Sequence, residues 1–329
     1  MRTRALGPRG AEIEVSALGL GTLSMSGGYG VEDPATCEAT VRRALDLGVT
    51  FIDTADFYAG GEGERQLGRA LGTRRDEAVI CVKTGIRPNP EGGMMLDGSP
   101  EYLRSTCDSS LRRLGTDHID LYCLGWVDPQ VPVEESVGAL AELVTAGKVR
   151  GLMLSEVSPA TLRRAHAVHP IAAVATEYSL WQRHVEGEIL AAQRQLGVPL
   201  IAYSPLGRGF FTGTVRSLDE VDEGDWRHNF PRFAPGNIER NLVLLKRLEA
   251  VAERLGVPMS RLAIAWVLAQ GEDIVALAGT KFPGHLEDNA AAVSLELGPA
   301  ELAELSECFP ASEVAGARYA PQIEELLDV

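Results

Sequence analysis

Short apolar runs alternate with amphipathic stretches along the whole chain. Eight runs read as strands, over residues 17–20, 50–53, 78–82, 119–124, 149–154, 172–177, 199–203 and 274–278. They are rich in Val, Ile and Leu without strict alternation, which is the pattern of strands buried on both faces. Helical patterns lie between them, over 34–47, 64–71, 101–114, 134–146, 159–168, 186–196 and 242–255. In the first, Val41, Ala44 and Leu45 share a face. Several of these stretches end at a glycine, namely Gly48, Gly115, Gly147, Gly197 and Gly256. Glycine accepts the left-handed conformation that closes a helix. Eight strand–helix units at this length predict an α/β fold, a (β/α)8 TIM barrel. Residues 3–15, with Gly7-Pro8 and Gly10, read as a β-hairpin ahead of the first barrel strand. Extra helices and a tail are expected at the C-terminal end. Residues 212–241 are polar, carry Gly and Pro, and are too long for a turn, so a functional or mobile loop is expected there. No linker, charge block or tandem repeat interrupts the rhythm, and residues 1–329 read as one domain. A Rossmann fingerprint fails: Gly19-Leu20-Gly21 is followed by Ser24 where the third glycine belongs.

Composition narrows the class. The 329 residues are 45% hydrophobic and 23% charged, which excludes a disordered chain and a disulfide mini-protein. The formal net charge of −15 argues against nucleic acid or an anionic membrane as main partner. It leaves room for a local basic pocket around a phosphate. The five cysteines are scattered and lack CxxC spacing, so they read as reduced thiols of a cytoplasmic protein. The first residues hold no apolar signal core, and no apolar run nears the ~20 residues of a membrane span. A small-molecule substrate is the expected partner, and a homo-oligomer is compatible with all of this.

A barrel carries its active site at the C-terminal ends of its strands. Asp53, Tyr58 and Lys83 fall there together. A lysine at the end of a buried strand needs a carboxylate, and Asp53 on the neighbouring strand can supply one. A cation beside a phenol stabilises the phenolate and lowers the Tyr pKa. Such a tyrosine can pass a proton to a carbonyl as a hydride arrives from a nicotinamide. Spacing alone fits a structural ion pair with an unrelated tyrosine equally well.

Longer strings separate the two. Residues 48–58 (GVTFIDTADFY), Lys83, 98–102 (GSPEY), 112–122 (RRLGTDHIDLY), 202–209 (AYSPLGRG), Gly279-Thr280-Lys281 and Leu286-Glu287-Asp288-Asn289 occur in this order. In these strings the chain resembles the aldo-keto reductase superfamily over nearly its whole length, and most closely its bacterial branch with a GTK…LEEN ending. The resemblance implies NADP(H) bound across the barrel mouth without a Rossmann domain. It implies a catalytic set of Asp53, Tyr58 and Lys83. By the same resemblance Tyr203 stacks on the nicotinamide, and Ser204, Leu206, Gly207 and Arg208 belong to the loop that straps the pyrophosphate. Ser155 lies near the carboxamide, and Gly279, Thr280, Lys281 and Asn289 surround the adenosine 2′-phosphate and adenine.

Three departures qualify this. The family's fourth catalytic residue is a histidine at the end of the fourth strand. Here Val127-Asp128-Pro129 fixes the register and puts Gly125 in its place, with Trp126 next to it. His118 begins that strand and lies near the opposite rim. Glycine offers no side-chain donor, a loss worth ~10²–10³ in rate. The freed space is expected to hold water or substrate, with Gly125 and Trp126 as pocket residues. Ala175 stands where relatives commonly carry Gln, and Phe282 where close relatives carry a basic residue. His166 and His169 have i, i+3 spacing but no third ligand, so no metal is expected. The loop bearing Trp226, Arg227, Phe230 and Arg232 resembles the family's variable clasp. Two functions follow: an NADP(H)-dependent oxidoreductase on a carbonyl, enone or alcohol of specialised metabolism, or a nucleotide-binding scaffold that runs a redox-neutral dehydration or epimerisation, or senses nucleotide.

Overall fold

The computed structural model describes residues 1–89 and 93–328. A hairpin comes first, β1 (Thr3–Leu6) against β2 (Ile13–Ser16). Eight parallel strands then close a barrel: β3 (Leu18–Gly21), β4 (Phe51–Ala55), β5 (Val79–Thr84) and, after a second hairpin of β6 (Ile86–Pro88) and β7 (Met94–Leu96), β8 (Ile119–Leu124), β9 (Val149–Ser155), β10 (Ile171–Glu177), β11 (Leu200–Tyr203) and β12 (Ile274–Gly279). The barrel, the first hairpin and the fold class are as the sequence predicts. The helices are α1 (Pro34–Asp46), α2 (Glu62–Leu71), α3 (Pro100–Leu114), α4 (Val133–Thr145), α5 (Pro159–Val168), α6 (Glu188–Leu196), α7 (Asn237–Leu255), α8 (Met259–Leu268), α9 (Pro283–Ala291), α10 (Pro299–Cys308) and α11 (Pro321–Glu324).

Local chemistry sets these boundaries. Asp33, Ser99 and Ser158 accept backbone N–H groups at the starts of α1, α3 and α5, each with Pro in the first turn. Gly115, Gly197 and Gly256 close α3, α6 and α7 in the left-handed conformation. Phe51, Cys81, Leu121, Cys123, Met153 and Ile201 fill the barrel interior, and Leu6, Ile13 and Val15 of the first hairpin pack beneath them. Phe51 fits because Gly19 faces it: a Cβ there would lie 2.4 Å from the ring. The expected loop over 212–241 is broken by short helical turns at Leu218–Glu220, Trp226–Asn229 and Pro231–Phe233. It gives way early to α7, where Glu239 accepts the Gly236 N–H at 2.6 Å. Helix α8 escapes the periodicity because every residue from Leu262 to Leu268 is buried, so no polar face marks its turn.

Candidate active site

Parallel pairing of β4 with β5 sets Asp53 beside Cys81 and Ala55 beside Lys83. Side chains alternate along a strand, so Asp53 and Lys83 both face the barrel axis at its C-terminal rim. They form an ion pair, Lys83 Nζ to Asp53 Oδ1, in a mostly buried setting. Tyr58 follows on the loop after β4. The chain turns away behind it through left-handed Ala59, Gly60 and Gly61 into α2. The Tyr58 ring centroid is 5.2 Å from Lys83 Nζ, and Phe57 packs edge-on against it at 5.1 Å. The three residues predicted to act together are therefore brought together.

Their protonation differs from expectation in one respect. Burial pushes the Tyr58 phenol up to about 12, and the Lys83 charge only partly offsets it. The predicted lowering is thus overturned, because desolvation of the phenolate outweighs the neighbouring cation. Burial also works against the Lys83 ammonium. The Asp53 carboxylate is the main influence that overcomes it and holds Lys83 above its ordinary value.

Gly125 follows β8 and donates its N–H to the Thr84 carbonyl at 2.8 Å. A Cβ on Gly125 would lie 3.0 Å from that carbonyl oxygen and 3.3 Å from Ile86 Cδ1. A side chain at Gly125 would thus be tightly packed from its first carbon, while Gly125 itself lines the cavity. Trp126, half-buried, faces the same cavity as Tyr58. His118, beside Asp117 and Asp120 at the start of β8, stays away from it.

The cavity measures about 860 Å³. On its β4–β5–β8 side stand Tyr58, Lys83, Gly125 and Trp126, and on its β12–α9 side Gly279, Thr280, Lys281 and Asn289. Ser155, Tyr203, Ser204, Leu206 and Arg208 line the wall between. Gly207 does not: it packs on Trp181, 2.9 Å from where its Cβ would be, with φ +56. Arg208 lines the cavity but is held by Glu177 through two bonds of 3.0 and 2.9 Å. Its guanidinium lies between the rings of Phe230 and Tyr319, 4.0 and 4.9 Å from their centroids. Lys281 points its ammonium at the carbonyls of Tyr29 and Val31, at 2.8 and 2.6 Å. Thr280 accepts the Phe282 N–H at 3.2 Å at the start of α9.

Several site residues carried no assigned role in the sequence. Glu156 is fully buried and accepts from the Tyr203 hydroxyl at 2.7 Å, Arg318 at 2.6 Å and the Glu177 N–H at 3.0 Å. The Tyr203 hydroxyl also lies 3.0 Å from that of Tyr319. Glu156 and Glu177 stand at strand ends and were visible as such. Arg318 and Tyr319 lie in the tail, where no pattern pointed to them. Tyr29 reaches the cavity from the loop after β3. His166 accepts the Ile171 N–H at 3.2 Å and His169 meets the Pro170 carbonyl at 2.9 Å. All five cysteines are buried free thiols.

A model of the Aldo/keto reductase family matches residues 17–309. The chain belongs to the aldo/keto reductase family. It is an oxidoreductase of that family, with the family's barrel. A probable aldo-keto reductase of Glycine max is 42% identical over 318 residues, covering 95% of this chain and 90% of its own. The structure of a glycerol dehydrogenase from Gluconobacter oxydans superposes with a TM-score of 0.84 at 29% identity, covering 96% of this chain and 98% of that one. The holo form of an aldo-keto reductase from Bacillus halodurans gives 0.76 at 26% identity, covering 98% and 99%. No helix among the described residues is long and apolar enough to cross a membrane.

Proposed function

We propose that this aldo-keto reductase is an NADP(H)-dependent enzyme that interconverts a carbonyl or enone with its reduced product. Asp53, Tyr58 and Lys83 are its whole catalytic set. The observation that carries this reading is the buried Tyr58–Lys83–Asp53 cluster on the wall of a cavity of about 860 Å³. Three ionisable groups converging on one cavity are costly to keep without chemistry.

The residues present fit a dinucleotide. Ser24 faces the cavity with a buried hydroxyl that has no partner, Tyr203 offers an aromatic face, and Lys281 supplies a cation on the β12–α9 side, with the Glu177-paired Arg208 on the wall between. When bound, NADPH supplies the hydride. We assign Tyr203 and Ser155 to its nicotinamide end, Ser204, Leu206 and Arg208 to the pyrophosphate, and Gly279, Thr280, Lys281 and Asn289 to the adenosine end. Tyr58 then gives its hydroxyl proton to the substrate oxygen, and the Lys83 ammonium stabilises the phenolate left behind. Asp53 keeps Lys83 charged and aimed. With its pKa at about 12, Tyr58 stays protonated through neutral pH, which favours reduction. The reverse oxidation needs the phenolate and gains from alkaline pH.

Gly125 cannot hydrogen-bond the substrate oxygen, so substrates that need that donor react slowly. The walls favour an apolar substrate. Phe57, Ile86, Met94 and Trp126 line the cavity, and Phe282 and Trp226 are partly exposed at its edge. A specialised metabolite with a bulky apolar body suits them. Free thiols support a cytoplasmic setting. We treat residues 1–329 as one catalytic domain.

Gly125 also supports a second reading, in which the scaffold binds nucleotide yet runs a redox-neutral dehydration or epimerisation, or senses nucleotide. The test is NADPH consumption over a panel of aldehydes, ketones and enones, with product counted against NADPH. One product per NADPH supports reductase chemistry. Product formed without NADPH loss sinks it in favour of the second reading.

A further inference from the structure

Asp56 stands two residues before Tyr58, and no step above uses it. Its side chain is buried. Oδ2 is 2.7 Å from the Thr84 hydroxyl, while Oδ1 has no hydrogen-bond partner. Its backbone N–H donates to the Lys83 carbonyl at 3.0 Å. Asp56 thus fastens the Tyr58 loop to β5 at the residue that carries the ammonium and at the next one. Thr84 extends the brace. Its hydroxyl is 3.0 Å from that of Thr106 on α3, which is 3.1 Å from the Tyr122 hydroxyl on β8. Its carbonyl accepts the Gly125 N–H.

Titratable groups face Asp56 from several elements, with the Glu64 charge opposing its ionisation and the Arg113 charge favouring it. Glu64 on α2 faces it, as do Arg113 and Tyr102 on α3 and Tyr122 on β8. Arg113 is committed to Glu64, which is itself fully buried. Burial is the main cause that pushes the Asp56 carboxyl up to about 7, against the bond from Thr84. A neutral Asp56 can donate to Thr84, Thr84 to Thr106, and Thr106 to the Tyr102 carbonyl at 3.0 Å. Ionisation reverses the first of these bonds and leaves a buried anion with one partnerless oxygen.

We propose that Asp56 is a positioning residue: bonded through its side chain to Thr84 and through its backbone to the Lys83 carbonyl, it holds the Tyr58 loop against the strand that carries Lys83. This rests on the reading of Tyr58 and Lys83 as the proton-transfer pair. Its effect on the reaction runs through Tyr58, not through contact with substrate.

The test compares wild type with Asp56→Asn, Asp56→Ala and Tyr58→Phe, measuring kcat, cofactor affinity and Tm from pH 4 to 9. Asp56→Ala is expected to lower kcat at least tenfold with cofactor affinity within twofold. Asp56→Asn, which keeps a donor to Thr84, restores most of that. Wild-type kcat falls above pH 7, and that of Asp56→Asn does not. The stability arm has a definite sign. Folded Asp56 keeps its proton up to about pH 7, whereas an unfolded Asp loses it near ~4. Folding takes up a proton in that window, so wild-type Tm falls relative to Asp56→Asn as pH rises through it, then levels. Parallel curves for the two proteins in both kcat and Tm overturn the proposal. So does an Asp56→Asn enzyme no better than Asp56→Ala. If Asp56→Ala does not fold, the Asn curves alone decide. Full turnover by Tyr58→Phe overturns the proton-transfer reading and the positioning role with it, while the Tm curves still report the Asp56 proton.

Discussion

Gly125 shows what one position can decide. Its identity was plain in the sequence, and so was the absence of a side-chain donor there. Its surroundings were not, because a Cβ at 3.0 Å from the Thr84 carbonyl exists only in three dimensions. Gly125→His therefore does two opposed things. It adds a donor worth ~10²–10³ in rate, and it forces Thr84 or Ile86 to yield, at a cost of about 1–3 kcal/mol. Urea unfolding should show that loss, and turnover of small aldehydes should rise at least tenfold. Unchanged turnover in a folded variant would mean that the donor is not what limits the wild type. Asp53, Tyr58 and Lys83 were likewise legible as residues. The Tyr58 pKa was not, since it depends on burial. Asp56 escaped notice because its two attachments, to Thr84 and to the Lys83 carbonyl, join segments far apart in the chain.

Among the elements, the barrel strands were legible because they are apolar, short and bounded by turn residues. Helix α8 and the hairpin of β6 and β7 were not, the first for want of a polar face and the second for brevity. The tail matters more than its sequence suggested. Arg318 and Tyr319 close on Glu156 and Tyr203, and Asp328 accepts from the Ser158 N–H at 3.1 Å. Tyr203, assigned here to the nicotinamide, is thereby fixed from the tail. Arg318→Met leaves Glu156 as a buried anion without its cation, so stability should fall by about 3–5 kcal/mol in urea unfolding. A loss below ~1 kcal/mol contradicts the view that the tail is bound through this pair.

At the scale of the whole molecule, net charge and cavity pull in different directions. The chain carries −15 overall, yet Lys281 faces the cavity with backbone carbonyls as its partners, while Arg208 and Arg227 on the same cavity are paired with Glu177 and Asp225. Exposed apolar side chains gather near its mouth too: Met94, Trp226 and Phe282 line it, and Val31 presents its carbonyl to Lys281. A phosphate-bearing cofactor and an apolar substrate both fit that arrangement. If Lys281 faces the 2′-phosphate, Lys281→Met should weaken NADPH binding at least tenfold and NADH binding far less, read by fluorescence titration. Equal weakening of both would mean that Lys281 serves only to pin the loop carrying Tyr29 and Val31.

The central claim is that Tyr58, kept protonated by burial and paired with Lys83, delivers the proton of a carbonyl reduction. Steady-state NADPH oxidation by wild type and Tyr58→Phe, on the best substrate of the carbonyl panel, tests it most directly when nucleotide binding is titrated alongside. The account predicts that Tyr58→Phe binds NADPH as wild type does and loses turnover by at least a hundredfold. Tight binding with undiminished turnover would contradict it.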